Sequence, residues 1–313
     1  AGCASDPAVP EGPGAAEPGR SPELVVDPAG TVQPLAAQPE GMVYDAETGI
    51  LAVAVREPNR LLLVDGASGE VRVEVALPGH ARHLQLAGPG GPVLVPAEDS
   101  DVFVQVSLPG GEVAETSVGD YPHDAATTPD GLTLVADERG GTLSVLDGTD
   151  VVHTFDDVQQ PGGVTAVGEL AAVVDVGAFT LSTYDLDAKE RLGVLDAGEG
   201  PTHLVADGQG RLVVADTRGS EMLVFTADPL ALQMQYPLPG TPYGLAWNPD
   251  AETLWVTLTA RNEVVALDLS GVEPVETGRF PTVRQPNTVA VDPVSGRVWV
   301  ASRTTGDLQM IDP

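Results

Sequence analysis

The chain has 313 residues and a net charge of −31 with a pI near 4.1. Nucleic-acid binding depends on a basic surface that releases counterions, so this charge excludes a general nucleic-acid-binding surface and disfavours an anionic membrane surface as partner. No apolar run reaches the length of about 18 residues that a membrane-spanning helix needs. A single cysteine also excludes an internal disulfide framework.

The N-terminal residues Ala1-Gly2-Cys3 place the only cysteine third. This tripeptide resembles the end of a bacterial lipoprotein signal peptide, in which the cysteine becomes the lipidated first residue of the mature protein. The residues that follow, 6–21, are rich in Pro, Gly, Ala and Glu, a composition that buries no core and suits a flexible tether. We therefore expect lipidation of Cys3 and an extracytoplasmic, membrane-anchored location, at the cell surface or in the periplasm. The alternative is a free intracellular cysteine on a ragged terminus.

A unit of about 40 residues recurs from residue 39 to residue 312. In the copy at residues 122–147, a leading proline and a short apolar stretch precede two runs of alternating apolar residues with a turn between them, which is the pattern of antiparallel strands. A period of this length with four short strands per unit is typical of a propeller blade, so the sequence predicts an all-β, seven-bladed β-propeller. The repeats start at Pro39, Ala81, Pro122, Pro161, Pro201, Pro242 and Pro286.

A further strand-like stretch, residues 24–36, precedes the first full repeat, whereas the seventh repeat stops at Pro313 after its third strand. We expect the N-terminal strand to supply the missing outer strand of the last blade, because this pairing closes the ring and removes two open sheet edges. The predicted organisation is a lipoprotein N-terminus and tether over residues 1–21 and one propeller over residues 22–313. We expect a monomer.

Two of the repeats, residues 39–55 and 286–302, resemble those of the YncE-like, YVTN-type seven-bladed propellers of bacterial periplasms and surfaces. The resemblance implies a blade rather than an activity, since some of these propellers are proposed to bind DNA and related ones act as metal chaperones or lyases. Residues 238–247 are also similar to repeats of propeller lyases such as streptogramin lyase. The His and Glu residues placed around the metal in those lyases have no residue-by-residue counterpart here.

The first strand of each propeller blade lines the central channel, so equivalent residues of the repeats should surround one channel mouth. The position two residues after the repeat start holds His83, Asp124 and His203 in blades two, three and five. Two imidazoles and a carboxylate with open positions form a donor set for a divalent transition metal. We predict a zinc or copper site at these residues, with His80 or His123 as an additional donor. The alternative is that polar side chains only line a water-filled channel.

A second ring of charged residues is expected on the same face, in the loops after the second strands. Acidic residues dominate this ring in blades two to five and arginines dominate it in blades six, seven and one. The split would attract a cation to one side and an anionic group to the other, although solvated turn charges explain it as well. The acidic members are Glu98, Asp99, Asp137, Glu138, Asp175 and Asp216, and the basic members are Arg56, Arg218, Arg261 and Arg303.

These features predict an extracytoplasmic, lipid-anchored binding protein that holds a metal ion or small ligand at the channel mouth. In this interpretation it resembles propeller metallochaperones that pass zinc to an importer, so a membrane transporter is a candidate partner. A metal-assisted lyase or hydrolase, with one of the histidines as general base, and a protein-interaction scaffold without metal are the alternatives. Catalysis is the less favoured, because the sequence contains no nucleophile elbow, zinc-protease helix, phosphate loop or dinucleotide fingerprint.

Overall fold

A computed structural model describes residues 14–313, and its strands form seven antiparallel sheets of four strands each. Each sheet is one blade, and the blades follow one another along the chain around a central channel. The prediction of an all-β, seven-bladed propeller is therefore confirmed. Cys3 lies outside the described residues, so its lipidation stays a prediction.

The strands are numbered in chain order, beginning with β1 (Thr31–Pro34). Blade one is β2 (Pro39–Asp45), β3 (Ile50–Val55), β4 (Arg60–Asp65) and β5 (Val71–Ala76), and blade two is β6 (Gln85–Leu86), β7 (Val93–Ala97), β8 (Val102–Val106) and β9 (Val113–Ser117). Blade three is β10 (Pro122–Thr127), β11 (Thr133–Asp137), β12 (Thr142–Asp147) and β13 (Asp150–Phe155), and blade four is β14 (Pro161–Val167), β15 (Leu170–Asp175), β16 (Thr180–Asp185) and β17 (Glu190–Asp196).

Blade five is β18 (Pro201–Ala206), β19 (Arg211–Asp216), β20 (Glu221–Ala227) and β21 (Leu230–Pro237). Blade six is β22 (Pro242–Asn248), β23 (Thr253–Leu258), β24 (Glu263–Asp268) and β25 (Val275–Pro281), and blade seven is β26 (Pro286–Val291), β27 (Val298–Ser302) and β28 (Asp307–Ile311), completed by β1. Among residues 14–313 the only helical element is a 3₁₀ turn at Glu98–Ser100, and no helix there is long and apolar enough to cross a membrane.

The core lies between the blades. Middle strands such as β3 are buried along their whole length, because neighbouring blades cover both faces of each sheet, whereas outer strands such as β5 are largely exposed. Seven apolar clusters result, and each packs two adjacent blades against each other. The cluster between blades seven and one is built around Trp299, which is 1% exposed, so the first and last repeats are joined as closely as any other pair.

The ring is closed by the N-terminal strand, as the sequence predicts. β1 runs antiparallel to β28, with Thr31 opposite Met310 and Pro34 opposite Asp307. Next to this pairing, Gln309 Nε2 donates a hydrogen bond to the carbonyl oxygen of Ala29 at 2.7 Å. The outer edge of the last blade is therefore covered by strand pairing rather than left open.

Residues 14–21, which composition assigns to the tether, lie against the propeller. Ser21 is buried, and its hydroxyl donates a hydrogen bond to the carbonyl oxygen of Thr259 at 2.5 Å. Ala15 packs against the apolar cluster between blades four and five. The boundary predicted at residue 21 therefore does not mark the point where contact with the propeller begins.

Blade two departs from the repeat. In the other six blades the predicted starting proline is the first residue of the innermost strand, but here β6 begins at Gln85 instead of Ala81. Gln85 lies opposite Leu94, so continuing the same register would set His83 opposite Pro96. Proline has no backbone N–H to contribute to a strand ladder, which disfavours pairing at this point. The segment before β6 is thereby released from the sheet and lies at the channel mouth.

Candidate functional site

The channel mouth is shaped by a repeated irregularity of the first strands. In six blades the register with the second strand shifts directly after the starting proline. A bulge of this kind redirects neighbouring side chains, so both the first and the second residue after the repeat start reach the mouth. The second position places His83, Asp124 and His203 on one cavity. The first position adds residues that the sequence prediction did not include, namely Glu40, Arg82, Tyr243 and Asn287.

This cavity has a volume of about 660 Å³ and follows the inner strands from the mouth towards the opposite end of the channel. Its mouth is polar, whereas Leu84, Leu204 and Val289 line the wall further in, and Tyr44 and Trp247 lie near the far ends of their strands. A cavity of this size is in the usual range of about 300–1,000 Å³ for small-molecule sites. It therefore offers charged and polar groups at one end and an apolar wall along its length.

The two predicted metal-binding imidazoles are stacked on each other. The rings of His83 and His203 have centroids 4.5 Å apart and an angle of 20° between their planes. Asp124 lies beside them, with Oδ2 at 3.9 Å from His83 Nδ1. Its oxygens already accept backbone N–H groups, from Val164 to Oδ2 and from Ala125 to Oδ1, each at 2.9 Å. The structure thus brings the three residues together, but the carboxylate is engaged by the sheet.

Burial decides the protonation of these three groups. It lowers the pKa of His83 well below the ordinary value, with the neighbouring imidazoles acting in the same direction, and it lowers the pKa of His203 to about 3. Burial raises the pKa of Asp124 to about 6, although the hydrogen bonds it accepts oppose the rise. At neutral pH both imidazoles are therefore uncharged.

The structure does not supply a donor arrangement for the predicted zinc or copper ion. Among residues 14–313, no group of three or more His, Cys, Asp or Glu side chains is placed so that it could hold a metal ion. The site at His83, Asp124 and His203 stays a prediction, without support from the geometry of these three side chains.

His80 and His123, the predicted additional donors, contact a buried carboxylate instead of the cavity. Glu98 is fully buried, and its Oε2 lies 2.5 Å from His80 Nε2 while its Oε1 lies 3.6 Å from His123 Nε2. The ring of His123 is fixed from its other side, where Nδ1–H donates to the carbonyl oxygen of Gly162 at 2.9 Å. Neither histidine lines the cavity. Because both rings contact Glu98, they are not available as metal ligands at the mouth.

Glu98 is held ionised by this arrangement. Burial alone would raise the pKa of its carboxyl group, but the close contact with His80 and the charges of His123 and Arg82 outweigh burial and lower that pKa. Arg82 Nε lies 3.4 Å from Glu98 Oε1, without the alignment of a hydrogen bond. The negative charge of Glu98 is therefore compensated inside the protein.

Three acidic members of the predicted charged ring have a structural role. Asp137, Asp175 and Asp216 are buried. Each accepts backbone N–H groups of the loop that enters the first strand of a blade, for example from Gly119 to Asp137 at 3.1 Å and from Gly200 to Asp216 at 2.8 Å. These carboxylates fix loops and do not line the cavity, so we correct the expectation that they attract a cation to the channel.

The basic half of the ring behaves differently. Arg56 and Arg303 approach one carboxylate, Glu40, from both sides, each with its Nε at 2.5 Å from a different oxygen. They use only Nε, and in the described part of the chain no hydrogen-bond acceptor meets their Nη groups. Together with Arg82 they line the cavity. Three guanidinium groups therefore face one mouth with donor capacity left over.

The remaining two arginines of the predicted ring lie away from the cavity. Arg218 donates hydrogen bonds to the carbonyl oxygens of Glu199 and Gly14, at 2.6 and 2.9 Å. The side chain of Arg261 lies close to Gly240. Neither contributes to the cavity wall, so the part of the ring that can attract an anion to the cavity is confined to Arg303 of blade seven and Arg56 of blade one.

Comparison with known proteins identifies the fold only. No known family and no curated protein matches the chain by sequence. Among solved structures, hydrazine synthase of Kuenenia stuttgartiensis matches with a TM-score of 0.74 and 17% identity over 93% of this chain and 98% of that one. A streptogramin B lyase (TM-score 0.75, 14% identity, 90% and 97% covered) and virginiamycin B lyase of Staphylococcus aureus (0.75, 14%, 90% and 99%) are also similar. At these identities the likeness shows a propeller fold, and the predicted YncE-like relationship stays a prediction.

Proposed function

We propose that this protein binds a small organic anion at the mouth of the propeller channel. The observation that carries the proposal is the set of three guanidinium groups, Arg56, Arg82 and Arg303, which line one cavity without protein acceptors for their Nη groups among residues 14–313. Guanidinium groups bind carboxylate and phosphate oxygens through paired, charge-assisted hydrogen bonds. In a chain with only 15 basic residues and a net charge of −31, three around one cavity favour an anionic ligand.

The cavity wall contains three carboxylates, those of Glu17, Glu40 and Asp124. Two of them are already engaged within the protein. Glu40 is shared between two arginines, and Asp124 accepts backbone N–H groups. Donor capacity on the arginines therefore remains for a ligand.

The uncharged part of the wall indicates what else the ligand carries. His203 Nδ1 is buried with no hydrogen-bond partner in the described residues, and Tyr243 and Asn287 lie at the same mouth. The apolar wall further in would cover a hydrocarbon or aromatic body. The ligand that fits is a carboxylate or phosphate ester on an apolar body, with its anionic group at the arginines.

The other functions expected from the sequence stay proposals with less support. Zinc or copper binding, as in a metallochaperone that works with a transporter, lacks an arranged donor set. A general-base role in a lyase or hydrolase is disfavoured for His203, because a pKa of about 3 makes it a weak base at neutral pH. A lipid-anchored, extracytoplasmic location rests on Cys3.

Isothermal titration with matched acids and amides tests the anion proposal. The probes are phenylacetate, phenyl phosphate and phenylacetamide, so that the neutral compound keeps the apolar body of the acid. We expect the acids to bind at least tenfold more tightly than the amide, since hydrogen bonds to charged groups contribute about 1.5–3 kcal/mol each. Equal binding of acid and amide, or no binding of either acid, contradicts the proposal.

Two arginine variants locate the binding. Arg82→Gln removes a cavity guanidinium and should weaken acid binding by about tenfold. Arg279→Gln is the matched control, because Arg279 pairs with Glu263 and Glu276 on blade six and does not line the cavity. A similar loss in both variants would assign the effect to overall charge rather than to the cavity.

A further inference from the structure

The segment before β1 contributes to the wall of the cavity. Glu17 and Pro18 line it together with residues of the inner strands. The segment passes from blade five, where Gly14 contacts Arg218, across blade six to blade seven, where Ser21 contacts Gln285. A piece of chain outside the blades therefore lies over the mouth at which the arginines converge.

Residues 19–23, called the anchor, are held firmly. Gln285 Nε2 donates to the carbonyl oxygen of Gly19 at 2.9 Å, and Gln285 Oε1 accepts the backbone N–H of Ser21 at 3.0 Å. The hydroxyl of Ser21 donates to Thr259 O at 2.5 Å and accepts the backbone N–H of Gln285 at 3.0 Å. The anchor also accepts a hydrogen bond from Asn262 and includes an ion pair of Glu23 with Arg284.

Residues 14–18, called the gate, are held by much less. Their one hydrogen bond in the described structure runs from Arg218 Nη2 to the carbonyl oxygen of Gly14. Ala15 adds apolar contact with blades four and five, and Ala16 lies against Gly200. Since few contacts oppose its release, the gate can leave the surface at a small free-energy cost while the anchor stays in place.

The boundary between gate and anchor falls at a glycine. A Cβ on Gly19 would lie 2.2 Å from Thr241 Oγ1, so a larger residue here would force either the Thr241 side chain or the anchor to shift. Glycine also allows wide changes of φ and ψ, which a hinge requires. The position thus combines a tight fit on one side with backbone freedom.

We infer that residues 14–18 form a gate over the cavity, hinged at Gly19, and that Glu17 makes this gate selective by charge. The carboxylate of Glu17 lies at the mouth through which an anion reaches Arg56, Arg82 and Arg303, and like charges repel. Its charge acts on the wall itself, because it adds to the burial that raises the pKa of Tyr243. An anion enters when the gate is open and Glu17 has moved away with it.

The gate proposal rests on the proposed function only in assuming that the ligand is an anion. Its test therefore measures how fast small reagents reach the cavity and does not measure ligand binding. Thr288 is buried in the cavity wall near the mouth, and Thr288→Cys in a Cys3→Ser background provides a thiol there. A neutral and an anionic methanethiosulfonate reagent then report how fast small molecules reach that thiol. Ala206→Cys, at the far end of a first strand, is the matched control for entry from the other side.

Three chains are compared with the full-length protein. Deletion of residues 1–13 retains the gate, deletion of residues 1–18 removes it and keeps the anchor, and Glu17→Gln removes only its charge. We expect the deletion to residue 18 to speed labelling of Thr288→Cys at least tenfold with both reagents, and Glu17→Gln to speed it severalfold with the anionic reagent alone. The deletion to residue 13 and all rates at Ala206→Cys should match the full chain.

Equal labelling of Thr288→Cys in the two deletions overturns the gate, and equal effects of Glu17→Gln on both reagents overturn its charge selectivity. Thr165→Cys, on the wall of blade four, replaces Thr288→Cys if that variant does not fold. Failure of the anion proposal would appear separately: the acids would show no binding in the isothermal titration, while the labelling rate would still depend on residues 14–18.

Discussion

The two sides of the channel mouth differ in how their polar groups are satisfied. On the histidine side, formed by His80, His83, His123 and His203 with Glu98, imidazoles stack on each other or contact a fully buried carboxylate. On the arginine side, formed by Arg56, Arg303 and Glu40, two guanidinium groups share one carboxylate and keep their Nη groups free of protein acceptors in the described chain. The carboxylate of the histidine side is surrounded by imidazoles and Arg82 within the protein, whereas the guanidinium groups of the arginine side have Nη donors left for a ligand.

This difference shows why residue type alone is a poor guide to a site. Histidines and carboxylates suggest a metal, yet here they compensate one another below the surface. Arginines in turns suggest solvated charge, yet here they converge on a cavity. What separates structure from function is the set of hydrogen-bond donors that the fold leaves unmatched.

Removing the carboxylate of the histidine side should have the largest effect on stability. Glu98→Gln removes the charge of a carboxylate that is 0% exposed and faces His80, His123 and Arg82, and removing one partner of such a buried charge network costs about 3 kcal/mol. Glu40→Gln is the matched change on the arginine side, where the carboxylate is 11% exposed, and should cost less, about 1 kcal/mol. Urea unfolding measures both, and similar losses would contradict the distinction between the two sides.

The neutral imidazoles should give the protein a pH-dependent stability. His203 has a folded pKa of about 3, below the unfolded value of about 6.5, so its contribution is present above pH 6.5 and is lost as pH falls towards 3. When the pH falls from about 6.5 to about 5, protonation of His203 in the unfolded chain should lower the unfolding free energy of the wild type by about 2 kcal/mol. His203→Gln should not show this decrease. His153→Gln, on outer strand β13, should keep the wild-type profile, and identical profiles in both variants would refute a depressed pKa.

Added salt should affect the two sides of the channel mouth differently, because their charged groups differ in solvent exposure. Raising NaCl from about 50 mM to about 500 mM screens partly exposed charges, so we expect the affinity for phenylacetate to fall severalfold. The buried network around Glu98 should respond much less, so the difference in unfolding free energy between the wild type and Glu98→Gln should change by less than about 1 kcal/mol. Titration and urea unfolding at the two salt concentrations provide both numbers. Salt-independent binding would mean that apolar contact dominates.

The smallest expected effect concerns metal. Because Asp124 is engaged by backbone N–H groups and the rings of His83 and His203 are stacked, we expect His83→Ala and His153→Ala to bind Zn²⁺ with the same affinity as the wild type. Competition with a chromogenic chelator measures this. At least tenfold weaker binding in His83→Ala alone would support the metal site after all.

Much of the fold could be predicted from spacing, because a blade is a local structure. Six prolines mark the first residue of an inner strand, and the strand-like stretch before the repeats closes the last blade. Blade two could not be placed in this way, since its departure depends on the register of β6 with β7, which if continued would set Pro96 opposite the segment before Gln85. That relation appears only once the register of two strands is known.

The candidate site was predictable in position but not in chemistry. The second residue after the repeat start does reach the cavity, as predicted. A bulge also brings in the first residue after the repeat start, and inspection of that position in each repeat would have revealed Arg82 and Tyr243. The sequence could not show which arginine nitrogens lack an acceptor, because the contact of Arg303 with Glu40 joins residues that are 263 positions apart. Nor does a sequence distinguish Asp216, which holds a loop, from an aspartate in solvent.

The closure of the ring has a consequence for the order of folding. Six blades are built from neighbouring stretches of chain, but the seventh needs a segment that Gln309 contacts across 280 residues. Contacts between such distant residues form late, because the intervening chain must first become compact. We expect an early, open ring of six blades to precede the closed molecule. Because the same N-terminal stretch carries Glu17, we expect it to settle over the mouth together with that last pairing, which would make the channel the final part of the protein to acquire its working shape.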